Sequence, residues 1–215
     1  MNKIKLAIFD VDYTLTKRET LMEFYMFMIR KKPNLIKHLP RSIKAAFFYL
    51  FKIYDSQKSK ESFIAFIDGI NEEEMKDLVK EFYHKRLSKI LYKDAIDTMR
   101  KLKKEGCLIY LISASAEFYL NELYNIDIVD RVIGTRFTLS DGIYGSKIEG
   151  KNCKGEEKVN RLMEVLENED LEVDFKNSYM FSDSLADLPL FKLVGNPYLI
   201  NYRKGHEEIK ILKWR

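Results

Sequence analysis

The chain has 215 residues, 46% of them hydrophobic and 33% charged, with a formal net charge of +4. These values predict a soluble globular protein made of one domain and an insertion, and they exclude a low-complexity or disordered chain. The two cysteines, Cys107 and Cys153, lack CxxC or His-rich spacing, which excludes a disulfide scaffold and favours a cytoplasmic protein. We expect no signal peptide, because the first strand begins within a few residues of Met1. The longest apolar run in the middle of the chain, residues 45–51, is too short to span a bilayer.

Basic residues are concentrated in one segment of the chain. Residues 17–60 carry eleven Lys and Arg residues against three acids, so the remainder of the chain is net acidic. A basic segment near an acidic site favours attraction of an anionic substrate. A solvated face on an amphipathic helix explains the same charges, and both interpretations stay open.

The first strand and its following turn carry the strongest chemical signal. The apolar run at residues 6–9 is typical of a strand buried on both faces, and Asp10, Asp12 and Thr14 follow it. Residues two apart on an extended chain point the same way, so the two carboxylates repel each other. A divalent cation or a phosphoryl group would explain their placement. The alternative is a solvated turn whose Asp side chains cap the next helix.

Residues 17–87 have the pattern of a helical insertion without a convincing strand. The segment from Ile43 to Tyr54 is apolar nearly all round, which indicates burial between helices or at an interface. Asn71 precedes three consecutive glutamates, which predicts a helix with an N-cap and acids in its first turn.

Strands and helices alternate after residue 87. Short apolar runs there predict strands, and Asp141-Gly142 within residues 137–149 predicts a β-hairpin. The predicted strands are residues 107–112, 129–135, 177–181 and 198–201, and the predicted helices begin near Asp94, Glu117, Gly155 and Asp187. This alternation predicts an α/β fold with a mainly parallel, doubly wound sheet. Such sheets bind ligands beyond the carboxyl ends of their strands.

Polar residues from four separate elements fall at or near that predicted edge: Asp10 with Asp12, Ser113, Lys158, and Asp183 with Asp187. Ser113 is expected at a helix N-terminus, where backbone N–H groups bind phosphate. Carboxylates from two strand ends suit Mg²⁺, which prefers oxygen ligands and keeps several waters. Phosphoryl transfer needs cations, backbone donors and an in-line nucleophile, and a carboxylate can be that nucleophile.

These motifs resemble the haloacid dehalogenase superfamily of phosphohydrolases. The four motifs occur in the family's order, as DVDYT at 10–14, LISAS around Ser113, GEEK at 155–158, and FSDSLADLPL with Asp183 and Asp187. The resemblance is to the phosphoserine-phosphatase-like branch, which has a helical cap between the first and second motifs. It implies a three-layer α/β/α Rossmann-like core from residues 1–16 and 88–215. An all-helical cap over 17–87 and a small β-hairpin flap complete the implied fold.

The resemblance also implies roles for the motif residues. Asp10 would be the nucleophile and a Mg²⁺ ligand. Asp12 would be the general acid and base and would offer its backbone carbonyl to the metal. Ser113 and Ala114 would bind the phosphoryl group, and Lys158 would hold that group and steady Asp10. The acid at position 12 fits the phosphatases, because the related ATPase pumps have threonine there and the dehalogenases lack the second acid.

Asp183 would ligate Mg²⁺, Asp187 would support the metal shell, and Glu19 would bind substrate. Glu19 matches the position where phosphoserine phosphatases hold the substrate's amino group with an acid. Those enzymes also use a cap arginine for the substrate carboxylate. That position falls near Phe63, and residues 61–71 contain no arginine.

The sequence therefore predicts a Mg²⁺-dependent phosphomonoester hydrolase that works through an aspartyl-phosphate. The expected substrate is a small or moderately apolar phosphorylated metabolite. One alternative is a phosphotransferase or mutase that uses the same intermediate. Another is a module whose basic, aromatic helical segment docks on a membrane surface. Nucleic-acid binding is not expected, because an apolar helix interrupts the basic residues.

Overall fold

A computed structural model describes residues 3–38, 40, 44, 48 and 55–215 of the chain. The central sheet is built from six strands: β1 (Lys5–Phe9), β2 (Cys107–Ala116), β3 (Arg131–Thr135), β6 (Tyr179–Ser182), β7 (Asn196–Ile200) and β8 (Lys210–Leu212). They pair in parallel in the order β3-β2-β1-β6-β7-β8. A separate antiparallel hairpin consists of β4 (Phe137–Ser140) and β5 (Ile143–Ile148).

Seven α-helices are present in the described residues: α1 (Thr20–Lys31), α2 (Ser56–Phe63), α3 (Glu72–Lys85), α4 (Lys93–Lys104), α5 (Glu117–Leu120), α6 (Glu156–Asn168) and α7 (Leu188–Leu193). Alternate residues of β1 pack into two separate apolar clusters, with Ala7 and Phe9 in one and Leu6 and Ile8 in the other. The sheet is therefore buried on both faces, and the predicted three-layer α/β architecture with a mainly parallel sheet is confirmed.

Local signals in the sequence match several element boundaries. Asn71 caps α3 by accepting a hydrogen bond from the Glu74 N–H at 2.8 Å. Asp141 and Gly142 have φ values of 51° and 73°, as a tight hairpin turn requires. The predicted apolar helix over 43–54 lies outside the described residues, except for Lys44 and Phe48. None of the described helices combines the length and the hydropathy that a membrane span requires.

Two strands differ from their predicted form. β2 continues through Ala116 instead of ending at residue 112, with a register shift against β3 along the way. Ser113 therefore lies in the last part of a strand, and the expectation that it sits at a helix N-terminus is wrong. β8 was not predicted, because three residues at a sheet edge give almost no periodic signal.

Aromatic side chains join the helical segment (residues 17–87) to the rest of the protein. Phe24 of α1 is fully buried, and its ring centroid lies 5.2 Å from that of Tyr119 and 5.7 Å from that of Phe118. Phe24 also packs on Phe66 and Phe82 within the segment. One continuous apolar cluster thus runs from the helical segment into the layer beside the sheet.

The hairpin β4–β5 is bonded to the helical segment through backbone groups. The Gly69 N–H donates to the Tyr144 carbonyl at 3.0 Å, and the Tyr144 N–H donates to the Ile70 carbonyl at 2.8 Å. The Glu72 N–H donates to the Gly142 carbonyl at 2.8 Å. The hairpin therefore extends the helical segment, although the two are far apart in sequence.

Candidate active site

The turn after β1 presents its acids at the carboxyl edge of the sheet. The Asp10 N–H donates to the Phe181 carbonyl at 2.9 Å, which anchors the strand end to β6. Tyr13 has a φ of 58°, and the tight turn there leaves Asp10 and Asp12 facing one cavity. Thr14 is buried behind them, where its hydroxyl accepts a 2.8 Å hydrogen bond from the Asp183 N–H. The first and fourth motifs are thereby connected directly.

Lys158 lies buried between two carboxylates. Gly155, at φ 60° and ψ −126°, turns the chain into α6, and this backbone conformation is one that glycine adopts at little cost. The Lys158 Nζ is 2.7 Å from Asp10 Oδ1 and 2.8 Å from Asp187 Oδ2. Burial disfavours the ammonium, but the two carboxylates outweigh this effect and raise the pKa of Lys158. The predicted contact between Lys158 and Asp10 is present.

Acidic side chains outnumber basic ones in the lining of this cavity. Burial raises the pKa of Asp10 to about 8, with Lys158 opposing the shift and Asp187 and Asp12 adding to it. Burial also raises the pKa of Asp183 to about 6, again with help from the charges of Asp187 and Asp12. Such crowding of carboxylates favours binding of a further cation.

Magnesium is the ion that these residues fit. In the described part of the chain, no three Asp, Glu, His or Cys side chains gather closely enough to hold a metal alone. Mg²⁺ commonly binds one or two carboxylates and keeps several waters. Asp10 and Asp183 line the cavity and offer carboxylates of that kind, and the metal role of the Asp12 carbonyl stays a prediction. The hydrogen bonds of Asp187 go to Lys158 and Ser182, so its part in the metal shell stays a prediction.

Both carboxylate oxygens of Asp12 are held by hydrogen bonds. Oδ1 accepts from the Thr20 N–H at 2.7 Å, and Oδ2 accepts from the Ser115 hydroxyl at 2.6 Å. The Ser115 N–H in turn donates to the Ser113 hydroxyl oxygen at 3.0 Å. The second motif therefore contacts Asp12 through a serine that the sequence did not single out.

All eight predicted site residues line one cavity of about 560 Å³: Asp10, Asp12, Glu19, Ser113, Ala114, Lys158, Asp183 and Asp187. Leu21, Met22 and Phe63 add apolar side chains from α1 and α2. The structure thus brings the four motifs and Glu19 together.

Lys60 is a cavity residue that the motifs do not reveal. Its Nζ donates to the Ala114 carbonyl, and to Asn152 Oδ1 at 2.6 Å. Burial lowers the pKa of Lys60 to about 8, while Asp12 and Glu19 act in the opposite direction. The only sequence signal is its place one helical turn before Phe63. Lys60 therefore places a cation in the cavity, directly before residues 61–71, the stretch that contains no arginine.

Glu19 lies at the start of α1 and faces the same region. Its carboxylate accepts a 2.6 Å hydrogen bond from the Met22 N–H and so caps the helix. Burial, together with the charge of Asp12, raises the pKa of Glu19 to about 7. The cap role and the predicted substrate role are compatible, because a carboxylate can accept several hydrogen bonds.

Comparisons with known proteins agree with this geometry. A sequence profile of haloacid dehalogenase-like hydrolases matches residues 7–192. A histidinol-phosphatase of Neisseria meningitidis is 26% identical over 202 residues, which cover 91% of this chain and 90% of that protein. A phosphoserine phosphatase of Methanocaldococcus jannaschii is 23% identical over 194 residues, covering 90% and 83% of the two chains.

A solved structure has the same fold over nearly the full length. It is a protein of unknown function from Bordetella pertussis, with 26% identity and a TM-score of 0.84. The match covers 94% of this chain and 92% of that one. The predicted likeness to the phosphoserine-phosphatase-like branch is confirmed by these relatives together.

Proposed function

The chain belongs to the haloacid dehalogenase-like hydrolases and is a phosphatase, and from that premise we propose that it hydrolyses phosphate monoesters through a phosphorylated Asp10. The contact that carries the proposal is the buried 2.7 Å pair between Lys158 and Asp10. It fixes a carboxylate at a strand end in the lining of the cavity, and the other oxygen of that carboxylate accepts a 3.5 Å hydrogen bond from the Thr14 hydroxyl. A fixed carboxylate is suited to in-line attack on a bound phosphoryl group.

In the first step, Oδ2 of Asp10, the oxygen that does not bond Lys158, forms a bond to phosphorus as the bond from phosphorus to the ester oxygen breaks. Asp12 gives its proton to that ester oxygen, so the alcohol leaves neutral. Ser113 and the N–H of Ala114 bind the phosphoryl oxygens, and Lys158 offsets their negative charge.

In the second step, Asp12 takes a proton from water, and the water oxygen forms a new bond to phosphorus. The bond from phosphorus to Asp10 breaks, which restores the carboxylate and releases inorganic phosphate. Asp10 and Asp183 would hold Mg²⁺ together with the carbonyl of Asp12, and the bound ion would neutralise charge on the phosphoryl group.

The cavity supports a small or moderately apolar phosphorylated metabolite as the substrate. Leu21, Met22 and Phe63 offer apolar contacts to the organic part, while Glu19 and Lys60 offer one charge of each sign. The similar proteins include phosphatases named for histidinol phosphate and phosphoserine, both small esters. We therefore assign this protein to the same size class of substrate.

The test is a screen of phosphorylated metabolites with Mg²⁺, read out as release of inorganic phosphate. Asp10→Asn removes the nucleophile without changing side-chain volume, so turnover of every substrate should vanish while the protein stays folded, because Lys158 keeps Asp187 as a partner. Substantial phosphate release by purified Asp10→Asn protein would contradict the mechanism. Adding an acceptor alcohol separates hydrolysis from phosphoryl transfer, because transfer yields a new ester in place of phosphate.

A further inference from the structure

Three buried hydroxyl groups lie in a line that ends on Asp12. The Tyr119 hydroxyl is 3.3 Å from the Thr20 hydroxyl, which is 3.0 Å from the Ser115 hydroxyl. The Ser115 hydroxyl is 2.6 Å from Asp12 Oδ2. Thr20 and Tyr119 are 0% exposed and Ser115 is 3% exposed, so the line is shielded from water.

Counting hydroxyl protons fixes the direction of every hydrogen bond in this line. In its ionised form, the form that takes a proton from water in the second step, Asp12 only accepts, so Ser115 must give its single proton to Asp12. Thr20 must then donate to Ser115, and Tyr119 must donate to Thr20, because each hydroxyl has one proton. All three donors thus point toward the same oxygen of Asp12. Successive hydrogen bonds of one direction polarise and strengthen one another in a buried site.

The line also joins the helical segment to Asp12. Thr20 is the first residue of α1, and its N–H holds the other carboxylate oxygen of Asp12 at 2.7 Å. The ring of Tyr119 packs against Phe24 and Phe82, with centroid distances of 5.2 Å and 5.8 Å. The position of α1 and the orientation of Asp12 are therefore coupled through the same few residues.

We propose that Ser115, Thr20 and Tyr119 are positioning residues that hold the carboxyl group of Asp12 in the orientation needed to protonate the leaving group. This inference rests on the proposed function, because it takes Asp12 as the general acid. Each hydroxyl keeps its own proton throughout. The proton that reaches the ester oxygen comes from Asp12, and the hydroxyls set only the direction in which that proton points.

The dependence on the leaving group tests this role. An alkyl phosphate needs the proton from Asp12, whereas p-nitrophenyl phosphate has a leaving group stable enough to depart without it. General acid catalysis is worth about 10² to 10⁴-fold. We expect Ser115→Ala to lower kcat/KM about tenfold for an alkyl phosphate, because it removes only part of the effect of general acid catalysis. For the aryl ester we expect a loss of less than about twofold. An equal loss with both esters, or no loss with either, would overturn the inference.

Tyr119→Phe provides a second variant, since it removes only the hydroxyl and keeps the packed ring. It should cause the same selective loss for the alkyl ester, but a smaller one, because it acts through two intervening hydroxyls. Ser178→Ala is the matched control. Ser178 is buried, and its hydroxyl bonds the Leu6 N–H and the Asp174 carbonyl, away from the cavity. Any loss in this control should be equal for the two esters.

A double-mutant cycle separates positioning from general loss of structure. In an Asp12→Asn background, adding Ser115→Ala should leave kcat/KM for the alkyl ester unchanged within about twofold, because no proton remains to be directed. A further tenfold loss would overturn the inference. If the wild type hydrolyses neither ester nor any screened metabolite, the proposed function is wrong. If the wild type is active but the variants lose kcat/KM equally for the alkyl and the aryl ester, only the positioning role is wrong.

Discussion

Lys158 determines the electrostatic balance of the site, since it is the buried cation that bonds both Asp10 and Asp187. Removing one partner of a buried ion pair typically costs about 3–5 kcal/mol, because an unpaired charge is left in the interior. At high pH, a Lys158→Met variant would leave the buried Asp10 carboxylate without the cation that it bonds. At low pH, Asp10 binds a proton and the penalty shrinks.

We therefore predict that Lys158→Met lowers the free energy of unfolding by about 3–5 kcal/mol at pH 8.5 without Mg²⁺, and by clearly less at pH 5. The sign follows because Lys158 lowers the pKa of Asp10, so its removal raises that pKa further. Only the folded variant then keeps the Asp10 proton as the pH rises, and its stability falls with pH more than that of the wild type. Urea unfolding at the two pH values measures this difference. A loss that is the same at both would contradict the assigned ionisation.

The motif residues can be predicted from sequence because each lies near the end of a predicted strand or in the first turn of a predicted helix. Asp10, Ser113 and Asp183 are placed by strand order alone, since parallel strands end at one edge. Lys60 and Ser115 cannot be predicted in this way. Lys60 depends on how α2 packs over the strand ends, and Ser115 depends on how far β2 extends.

Helix α2 is held to the rest of the protein through polar side chains, such as Lys60, which bonds Ala114 and Asn152. None of its residues is fully buried, yet Lys60 and Phe63 both line the cavity. Lys60 and Phe63 are therefore placed to contact the organic part of a substrate. We predict that α2, and not the carboxylates, selects among phosphate esters.

Phe63→Arg tests this prediction, because it places a guanidinium where Phe63 lines the cavity. The wild type should prefer a larger, less charged monoester to phosphoserine, and the variant should shift kcat/KM toward phosphoserine. A gain of one charged hydrogen bond corresponds to about 1.5–3 kcal/mol, or roughly tenfold to a hundredfold in the ratio. Phe63→Leu, which keeps an apolar residue, is the control. A wild type that clearly prefers phosphoserine would contradict the prediction.

Element boundaries follow from local chemistry where that chemistry is strong. Asn71 and the Asp141-Gly142 turn were predictable because a cap and a tight turn each demand particular residues. The end of β2 was not, because the small polar run Ser113 to Ser115 has no clear period. The end of β2 is a strand because Ala116 pairs with Thr135 of β3, which is a tertiary effect.

At the scale of the whole molecule, metal binding should appear as stability. If Asp10 and Asp183 share Mg²⁺ in the folded chain only, free Mg²⁺ at 100 times its Kd adds about 2.7 kcal/mol to the free energy of unfolding. We predict that Mg²⁺ raises the melting temperature of the wild type in a saturable way and that Asp183→Asn abolishes most of the increase. Asp127→Asn, a change outside the cavity, is the control. An equal response in Asp183→Asn would refute the metal assignment.

The shared aromatic cluster limits how the helical segment can move. Separating α1 from α5 would expose Phe24 and Tyr119, and each large buried side chain contributes about 1.5–3 kcal/mol through burial. The chain passes between the helical segment and the rest of the protein near residues 16–18 and 87–93, and these two short crossings suggest a hinge. Hydrogen bonds between the two crossings stiffen this hinge. There the Lys17 N–H donates to the Ile90 carbonyl and the Tyr92 N–H donates to the Leu15 carbonyl.

The bonding of β4–β5 to the helical segment has a consequence for building chimaeras. A relative's residues 17–87 grafted alone onto this chain would meet a foreign hairpin. The three backbone hydrogen bonds between residues 69–72 and 142–144 would then have to match by chance. Ser146 would also lose the 2.6 Å bond that its N–H donates to Asp68. The unit that can be transplanted therefore consists of two separate stretches of sequence, 17–87 and 137–148. They have to be exchanged together if the backbone hydrogen bonds between them are to be kept.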